Sequence, residues 1–350
     1  MTSARQDAVM YTGPEWMGKA NWHSVAETYL LKALTKPGLY ALTQVMLAVN
    51  RRFPQFLLNR SYDGTERFMG WMPGVRGTRT ERVQLPHCPA EWTWNERNTA
   101  GPDAPVVIYF HGSAFIGLGI NSHRPLVSHI ARDSGARALS VAYRLCPRNL
   151  VEDAVSDGVD AYRYVLDQGV DPDNIVLAGD SAGGFLAAMT AIAVRDQGLT
   201  PPAGCVLISA ATSNDMEPKY AAGKRVGDAM FPVNFLKMIN DVFLLRNGAR
   251  EPGPCPADAD LTGLGPFLLQ VGSQEALRPD SELFAERLVA AGVPVRLQIF
   301  DRAIHVFQVF ALSNPDARRA VGEITEFVKA LPELAKQRRR VDAKVVGLSS

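Results

Sequence analysis

Short apolar runs alternate with longer helical patterns along most of this chain. From about residue 81 onward, runs rich in β-branched and aromatic residues are separated by stretches with apolar residues at helical spacing. This alternation is typical of an α/β fold with a mostly parallel sheet and helices on both faces. We predict eight strands, at residues 81–85, 91–95, 106–110, 138–143, 175–179, 205–209, 267–271 and 295–300. We predict helices at residues 124–133, 155–168, 183–197, 279–291 and 316–331.

Two regions lie outside this alternation, and we interpret them as parts of a cap. Residues 1–78 contain two amphipathic helical patterns whose apolar surface must pack against something, either as docked helices or as a substrate-covering lid. Residues 212–262 are predicted to be a cap insertion in an α/β domain of residues 79–335. The basic run at residues 336–350 is predicted to be a solvated tail.

Composition narrows the classes of partner. The chain has 37 basic and 36 acidic residues, so a net charge of +1 offers no field to attract nucleic acid. It has no C-x-x-C pair, no cluster with metal-ligand spacing and no apolar stretch long enough for a signal peptide or a membrane span. We therefore expect a cytoplasmic protein with reduced thiols, no metal, no organic cofactor and a small-molecule partner. The sequence allows either a monomer or a homodimer.

The segment 175–194, IVLAGDSAGGFLAAMTAIAV, contains the strongest chemical motif. It places Gly179-Asp180-Ser181-Ala182-Gly183 between a predicted strand and a predicted helix. A serine on such a sharp turn needs glycine two positions away on each side, and the following helix directs backbone N–H groups at developing negative charge. The pattern predicts that Ser181 is a nucleophile.

A serine nucleophile needs a base and an acid that orients the base. In this strand–turn–helix context the chain order is serine, acid, histidine. His305 is the one histidine after Ser181, and it follows the last predicted strand. The acid has three candidates: Glu275 just past a strand end, Asp280 at the start of a predicted helix, and Asp301. Glu275 has the position that the role requires.

A further turn follows the third predicted strand, at residues 111–115, HGSAF. Four further motifs follow it in order along the chain: SHRPL at 122–126, GDSAGG at 179–184, GSQEAL at 272–277 and HVF at 305–307. Over roughly residues 80–330 the chain resembles the hormone-sensitive-lipase family of α/β-hydrolase esterases. The resemblance implies a Ser181–His305–Glu275 triad. It also implies an oxyanion hole formed by the backbone of Gly112, Ser113, Ala114 and Ala182.

Two departures from the family pattern matter. The family's HGGG turn reads His111-Gly112-Ser113-Ala114 here, so strain is expected wherever a positive φ is required, and Val306 replaces a glycine. The sequence therefore predicts hydrolysis of a small to medium apolar carboxylic ester through an acyl-enzyme. The alternatives are a lactone, carbamate or amide hydrolase, an acyltransferase, or a ligand-binding protein without catalysis. Because binding-only relatives have lost the histidine, the presence of His305 favours an enzyme.

Overall fold

A computed structural model describes residues 13–30, 69–97, 104–146, 148–228 and 253–348, with isolated residues or pairs between these ranges and side chains as far as Arg340. Much of both predicted cap regions, including most of residues 31–68 and 237–244, lies outside the described residues. The cap boundaries therefore stay predictions.

A nine-stranded, mostly parallel sheet forms the centre of the described chain. Its strands are β1 Glu15–Trp16, β2 Thr78–Gln84, β3 Pro89–Asn95, β4 Val106–Phe110, β5 Arg137–Val141, β6 Ile175–Asp180, β7 Gly204–Ile208, β10 Phe267–Gly272 and β11 Val295–Phe300. The order is β1-β11-β10-β7-β6-β4-β5-β3-β2, and the two pairings made by β3 are antiparallel. Between β7 and β10, Leu245–Arg246 (β8) and Ala249–Arg250 (β9) pair as a separate two-stranded sheet.

All eight predicted strands belong to the sheet, and the predicted α/β-hydrolase fold is confirmed. The predicted number of strands was wrong by one, because β1 adds a parallel edge strand beside β11. Two residues are too few to show a period, and β1 is held by tertiary contacts instead. The Glu15 carboxylate accepts hydrogen bonds from Arg296 at 3.0 Å and from Gln298 at 3.3 Å.

The helices pack on both faces of the sheet. Besides the helical residues 22–30, the described helices are α1 Ile120–Ser134, α2 Val151–Asp167, α3 Ala182–Asp196, α4 Glu217–Val226, α5 Arg278–Ala290 and α6 Pro315–Leu348. Short 3-10 helices lie at Met69–Trp71, Pro172–Asn174, Pro256–Asp258 and Phe307–Phe310. Alternate residues of β4 enter two different cores: Ile108 and Phe110 face one layer, while Val107 and Tyr109 face the other. Burial on both faces explains why the central strands read as continuous apolar runs.

The N-terminal segment and the C-terminal helix both contact the body of the fold. Residues 22–30 are helical, and Thr28 Oγ1 donates a hydrogen bond of 2.7 Å to the carbonyl of Arg302. The predicted tail continues α6 as helix to Leu348, and Arg339 pairs with Asp173 at 2.7 Å. No helix in the described ranges is both long and apolar enough to cross a bilayer.

Candidate active site

Ser181 lies at the turn between β6 and α3, near the middle of the sheet. Its backbone has φ 53° and ψ −119°, a conformation that a residue with a side chain rarely adopts. The Ser181 N–H donates to the carbonyl of Ile208 at 2.8 Å, which ties the turn to the neighbouring strand β7. A Cβ at Gly183 would overlap the carbonyl of Phe110, and one at Gly179 would overlap the carbonyl of Gly183. The glycines are therefore required by close backbone approach.

The structure pairs His305 with Glu275. His305 Nδ1 lies 2.8 Å from Glu275 Oε2, and both side chains are buried. Because an ionised carboxylate only accepts hydrogen bonds, Nδ1 carries the proton in this pair, and in the neutral imidazole Nε2 is then left as an acceptor. This is the tautomer that a general base needs.

Glu275 is held by two further donors. Its Oε1 accepts hydrogen bonds from Ser209 Oγ at 2.8 Å and from the Gly272 backbone N–H at 2.5 Å. Ser209 Oγ in turn accepts from the backbone N–H of Val306 at 3.2 Å. Val306 itself has φ 52°, which is strained for a β-branched residue and which a glycine would adopt without a steric penalty.

The two other acid candidates are placed elsewhere. Asp280 is buried and forms an ion pair with Lys219 at 2.9 Å, and its carboxylate also accepts from the Ser213 N–H at 3.0 Å. Burial raises the pKa of Asp280 to about 6, although Lys219 and the hydrogen bonds oppose the shift. Asp301 accepts a hydrogen bond of 3.2 Å from the Ala20 N–H. Neither carboxylate is recorded as a partner of His305.

The turn after β4 adopts the strained conformation that glycines would relieve. Ser113 has φ 96° and Ala114 has φ 57°. Ser113 Oγ donates to the carbonyl of Gly117 within the same turn. The Gly112 N–H donates to Asp180 Oδ1 at 3.1 Å, so this N–H is already engaged. Ala182 is the first residue of α3, where backbone N–H groups lack a partner within the helix.

An apolar pocket of about 80 Å³ opens at Ser181. The described residues that line it are Ala114, Phe115, Ser181, Ala182, Phe185, Ala211, Ser213, Asn214, Met216, Lys219, Phe231, Phe235, Leu236 and Leu277. The Phe231 ring also contacts the His305 ring edge-on, with centroids 4.5 Å apart. The structure records no hydrogen bond between Ser181 and His305. Such contacts commonly tighten only when substrate binds.

Two residues missed by sequence reasoning adjoin this site. Asp180 Oδ2 lies 3.3 Å from His123 Nε2, and both side chains are buried. Both residues belong to motifs that matched the family, SHRPL and GDSAGG, but the sequence does not show that two segments 57 positions apart meet.

One other cluster in the described part of the chain has potential metal ligands. His87, Asp157 and Asp160 offer ligand atoms that all lie within 4.8 Å of one another. Asp157 is already bound by Arg144 through both carboxylate oxygens, and His87 Nδ1 lies 2.8 Å from Asp160. Each of the three residues therefore already has a partner, and none of them lines the Ser181 pocket.

Comparisons with known proteins agree with this fold. A family model described as alpha/beta hydrolase fold matches residues 107–309. An acetyl-hydrolase of Streptomyces hygroscopicus is 34% identical over 247 residues, which cover 71% of this chain and 81% of the relative. The esterase LipU of Mycobacterium tuberculosis is 36% identical over 231 residues, covering 64% of this chain and 77% of LipU.

Solved structures give the same result. A crystal structure of EstE5 soaked with ethyl alcohol superposes with a TM-score of 0.76 at 30% identity, covering 90% of this chain and all of that one. An esterase from the bacterial hormone-sensitive lipase family superposes with a TM-score of 0.72 at 32% identity, covering 83% of this chain and 97% of that one. The chain therefore belongs to the α/β-hydrolase-fold family, among the esterases that resemble hormone-sensitive lipase.

Proposed function

We propose that the chain is a serine carboxylic-ester hydrolase in which Ser181 is the nucleophile, His305 the general base and Glu275 the residue that orients the base. The observation that carries the proposal is the His305 Nδ1–Glu275 Oε2 contact of 2.8 Å, which lies at the carboxyl ends of the parallel strands, where Ser181 has its strained turn. The relatives named acetyl-hydrolase and esterase support the same reaction class.

In the proposed mechanism, His305 Nε2 takes the proton of the Ser181 hydroxyl as Oγ attacks the ester carbonyl carbon. The tetrahedral intermediate collapses when the imidazolium returns the proton to the leaving alkoxide, so that the alcohol departs and an acyl-enzyme remains. Water then attacks the acyl carbon as His305 takes its proton. The second tetrahedral intermediate releases the carboxylic acid when the imidazolium returns the proton to Ser181 Oγ. No metal or organic cofactor takes part in these steps.

The backbone N–H groups of Ser113, Ala114 and Ala182 are the proposed donors to the oxyanion. Loss of one such donor in other hydrolases costs about 3 to 4 kcal/mol of transition-state stabilisation, so their placement contributes substantially to the rate. Gly112 was expected among these donors, but its N–H donates to Asp180. We therefore assign Gly112 to holding the turn.

The pocket favours a short to medium apolar acyl group. Phe115, Phe185 and Leu277 supply apolar walls near Ser181. The pocket is also lined by Lys219, whose ammonium is fully engaged by Asp280 at 2.9 Å and by the carbonyls of Ser213 and Asp215. An alkyl chain that reached this ion pair would exclude water from two charged groups without offering them a hydrogen bond.

A phosphonate ester probe and the hydrolysis of p-nitrophenyl butyrate test the proposal. We expect wild-type protein to be labelled and to hydrolyse the ester, and Ser181→Ala to lose both. Ser134→Ala is the matched control, because Ser134 is as buried as Ser181, each 6% exposed, but lies at the end of α1. Labelling or hydrolysis that survives in Ser181→Ala would contradict the proposal.

A substrate series separates the alternatives. We expect rates to fall as the acyl chain lengthens from butyrate to dodecanoate, because the pocket is small and has a polar lining residue. Faster turnover of a lactone, carbamate or amide than of butyrate, or transfer of the acyl group to an added alcohol in preference to water, would assign the same triad to a different substrate.

A further inference from the structure

The turn between β4 and α1, residues 111–119, holds several strained residues. Ser113, Ala114, Phe115 and Leu118 all have positive φ, between 53° and 96°, although none is glycine. Such conformations persist only where the surrounding structure holds them. This turn carries two of the three proposed oxyanion donors, so the forces that hold it bear directly on catalysis.

Asp180 holds the first part of the turn. Its Oδ1 accepts hydrogen bonds from the Gly112 N–H at 3.1 Å and from Tyr109 Oη at 2.8 Å. A Cβ at Gly112 would overlap Asp180 Oδ2, so the backbone of the turn lies directly against the carboxylate. Asp180 also immediately precedes Ser181, and it therefore connects the turn that carries Ser181 (the nucleophile turn) with the turn at residues 111–119 (the oxyanion turn).

His123 holds the other end. Its Nδ1 lies 3.1 Å from the carbonyl oxygen of Gly119 and 2.9 Å from Ser122 Oγ. The Ser122 hydroxyl donates to Gly119 at 2.8 Å, so its oxygen can only accept from the ring. Nδ1 therefore carries a proton. Nε2 faces Asp180 Oδ2 at 3.3 Å. Since both ring nitrogens face acceptors, this geometry favours the doubly protonated, positively charged imidazole.

We propose that the buried His123–Asp180 ion pair is a positioning device, which clamps both ends of turn 111–119 and so fixes the oxyanion donors next to Ser181. The inference rests on the proposed esterase function. Neither residue touches the substrate in this scheme. The carboxylate holds Gly112 and the imidazolium holds Gly119, and the attraction between the two charges joins the ends of the turn.

The charges around His123 agree with this assignment. Burial alone would lower the pKa of His123, but Asp180, with help from Gly119 and Glu66, outweighs burial and raises it. Likewise, burial alone would raise the pKa of Asp180, yet His123 and Tyr109 hold it below its usual value. The other titratable groups facing His123 are the rings of Tyr109 and His111, with centroids 6.4 and 5.6 Å away. Burial lowers the pKa of His111 to about 3 and raises that of Tyr109, so both rings are neutral.

Asp180→Asn tests the clamp with little change of shape. The amide oxygen can still accept from Gly112 and Tyr109, but the charge is lost and the pair becomes neutral. We expect kcat for p-nitrophenyl butyrate to fall about 100-fold with KM nearly unchanged, since a displaced turn weakens stabilisation of the transition state more than binding of the ester. Asp173→Asn is the matched control. Asp173 is also a buried, ion-paired aspartate, but it lies before the start of β6, at the end opposite Asp180.

A second readout does not depend on activity. In wild-type protein labelled with ¹⁵N-histidine, we expect both ring nitrogens of His123 to show the NMR chemical shifts of an imidazolium at pH 7.5. The signals of His123 are identified by comparison with His123→Gln. In Asp180→Asn we expect the neutral form with the proton on Nδ1. If Asp180→Asn does not fold, His123→Gln removes the positive charge from the other side, and we expect it to show the same loss of kcat.

The outcomes separate this inference from the proposed function. A neutral His123 in the wild type would overturn the clamp. So would a kcat in the folded Asp180 or His123 variant equal to that of Asp173→Asn, and in both cases Ser181-dependent hydrolysis would leave the proposed function standing. Absence of Ser181-dependent hydrolysis in the wild type would overturn both.

Discussion

Exchanging Glu275 and Asp280 for their amides, one at a time, separates the residue that orients the base from a buried structural carboxylate. Both side chains are almost fully buried, with exposures of 0% and 2%. Glu275 Oε2 faces His305 Nδ1, whereas Asp280 pairs with Lys219. Because the substitutions are isosteric, the two variants differ mainly in which partner loses a negative charge.

In Glu275→Gln the amide can satisfy its neighbours only if His305 changes tautomer. Oε1 now accepts from two donors, Ser209 Oγ and the Gly272 N–H, so the side-chain NH₂ must turn toward His305. An N–H facing Nδ1 favours the imidazole tautomer with its proton on Nε2, which cannot accept the proton of Ser181. The equivalent change of the triad aspartate to asparagine in a serine protease lowers kcat about 10⁴-fold, equivalent to about 5 kcal/mol at 1.36 kcal/mol per factor of ten.

In Asp280→Asn the expected loss is of stability. Lys219 keeps its hydrogen bonds to the carbonyls of Ser213 and Asp215 but becomes a buried charge without a counter-ion. Removing one partner of a buried pair typically costs about 3 to 5 kcal/mol. We expect the folded variant to retain kcat within a few-fold of wild type.

Two measurements check this pair of predictions: kcat on p-nitrophenyl butyrate under conditions where each variant is folded, and urea unfolding followed by circular dichroism. We expect Glu275→Gln to be inactive and folded, and Asp280→Asn to be active and destabilised. The reasoning is refuted if Glu275→Gln keeps near-full kcat, or if folded Asp280→Asn loses kcat as severely as Glu275→Gln was expected to.

Two further predictions concern the nucleophile turn and pH. Gly183→Ala should destabilise the fold by more than about 3 kcal/mol in urea unfolding, because the new Cβ would overlap the backbone of Phe110. The control Gly322→Ala places its Cβ in open space on α6 and should stabilise the fold by about 0.5 to 1 kcal/mol. Equal effects of the two substitutions would contradict the steric argument. Because burial lowers the pKa of His111 from 6.5 to about 3, the unfolded chain binds the extra proton first as pH falls. The contribution of neutral, buried His111 to the free energy of unfolding is therefore complete above pH 6.5 and is lost as the pH falls toward 3. About 3 kcal/mol of it is lost by pH 4.5. His111→Gln should lack this slope, and identical pH dependence of the free energy of unfolding in both proteins would count against it.

The sequence alone predicted the parts of this protein that depend on local pattern. Each predicted strand is a run with a clear period or a continuous apolar composition, and all eight occur in the sheet. The turn at Ser181 was predicted because its glycines are local requirements of a tight strand–helix turn. Motif order also singled out His305 and gave Glu275 as the first choice of acid, and the structure joins these two side chains at 2.8 Å.

Contacts between distant segments were decided only by the tertiary structure. The two-residue strand β1 has no pattern of its own and is held by Arg296 and Gln298, more than 280 positions away. The sequence favoured the carboxylate at the strand end but kept the one at the helix start as an alternative, and only the fold shows that Asp280 is paired with Lys219.

The oxyanion turn shows the same division. The sequence predicted that HGSAF forms this turn and that side chains at positive φ there would be strained. Ser113 and Ala114 do have positive φ. The sequence did not indicate that the Gly112 N–H is engaged by Asp180, or that His123 reaches the far end of the turn. Local sequence sets which conformations a segment can adopt, whereas the partners that stabilise a costly conformation come from elsewhere in the chain and are fixed only when the sheet and helices pack together.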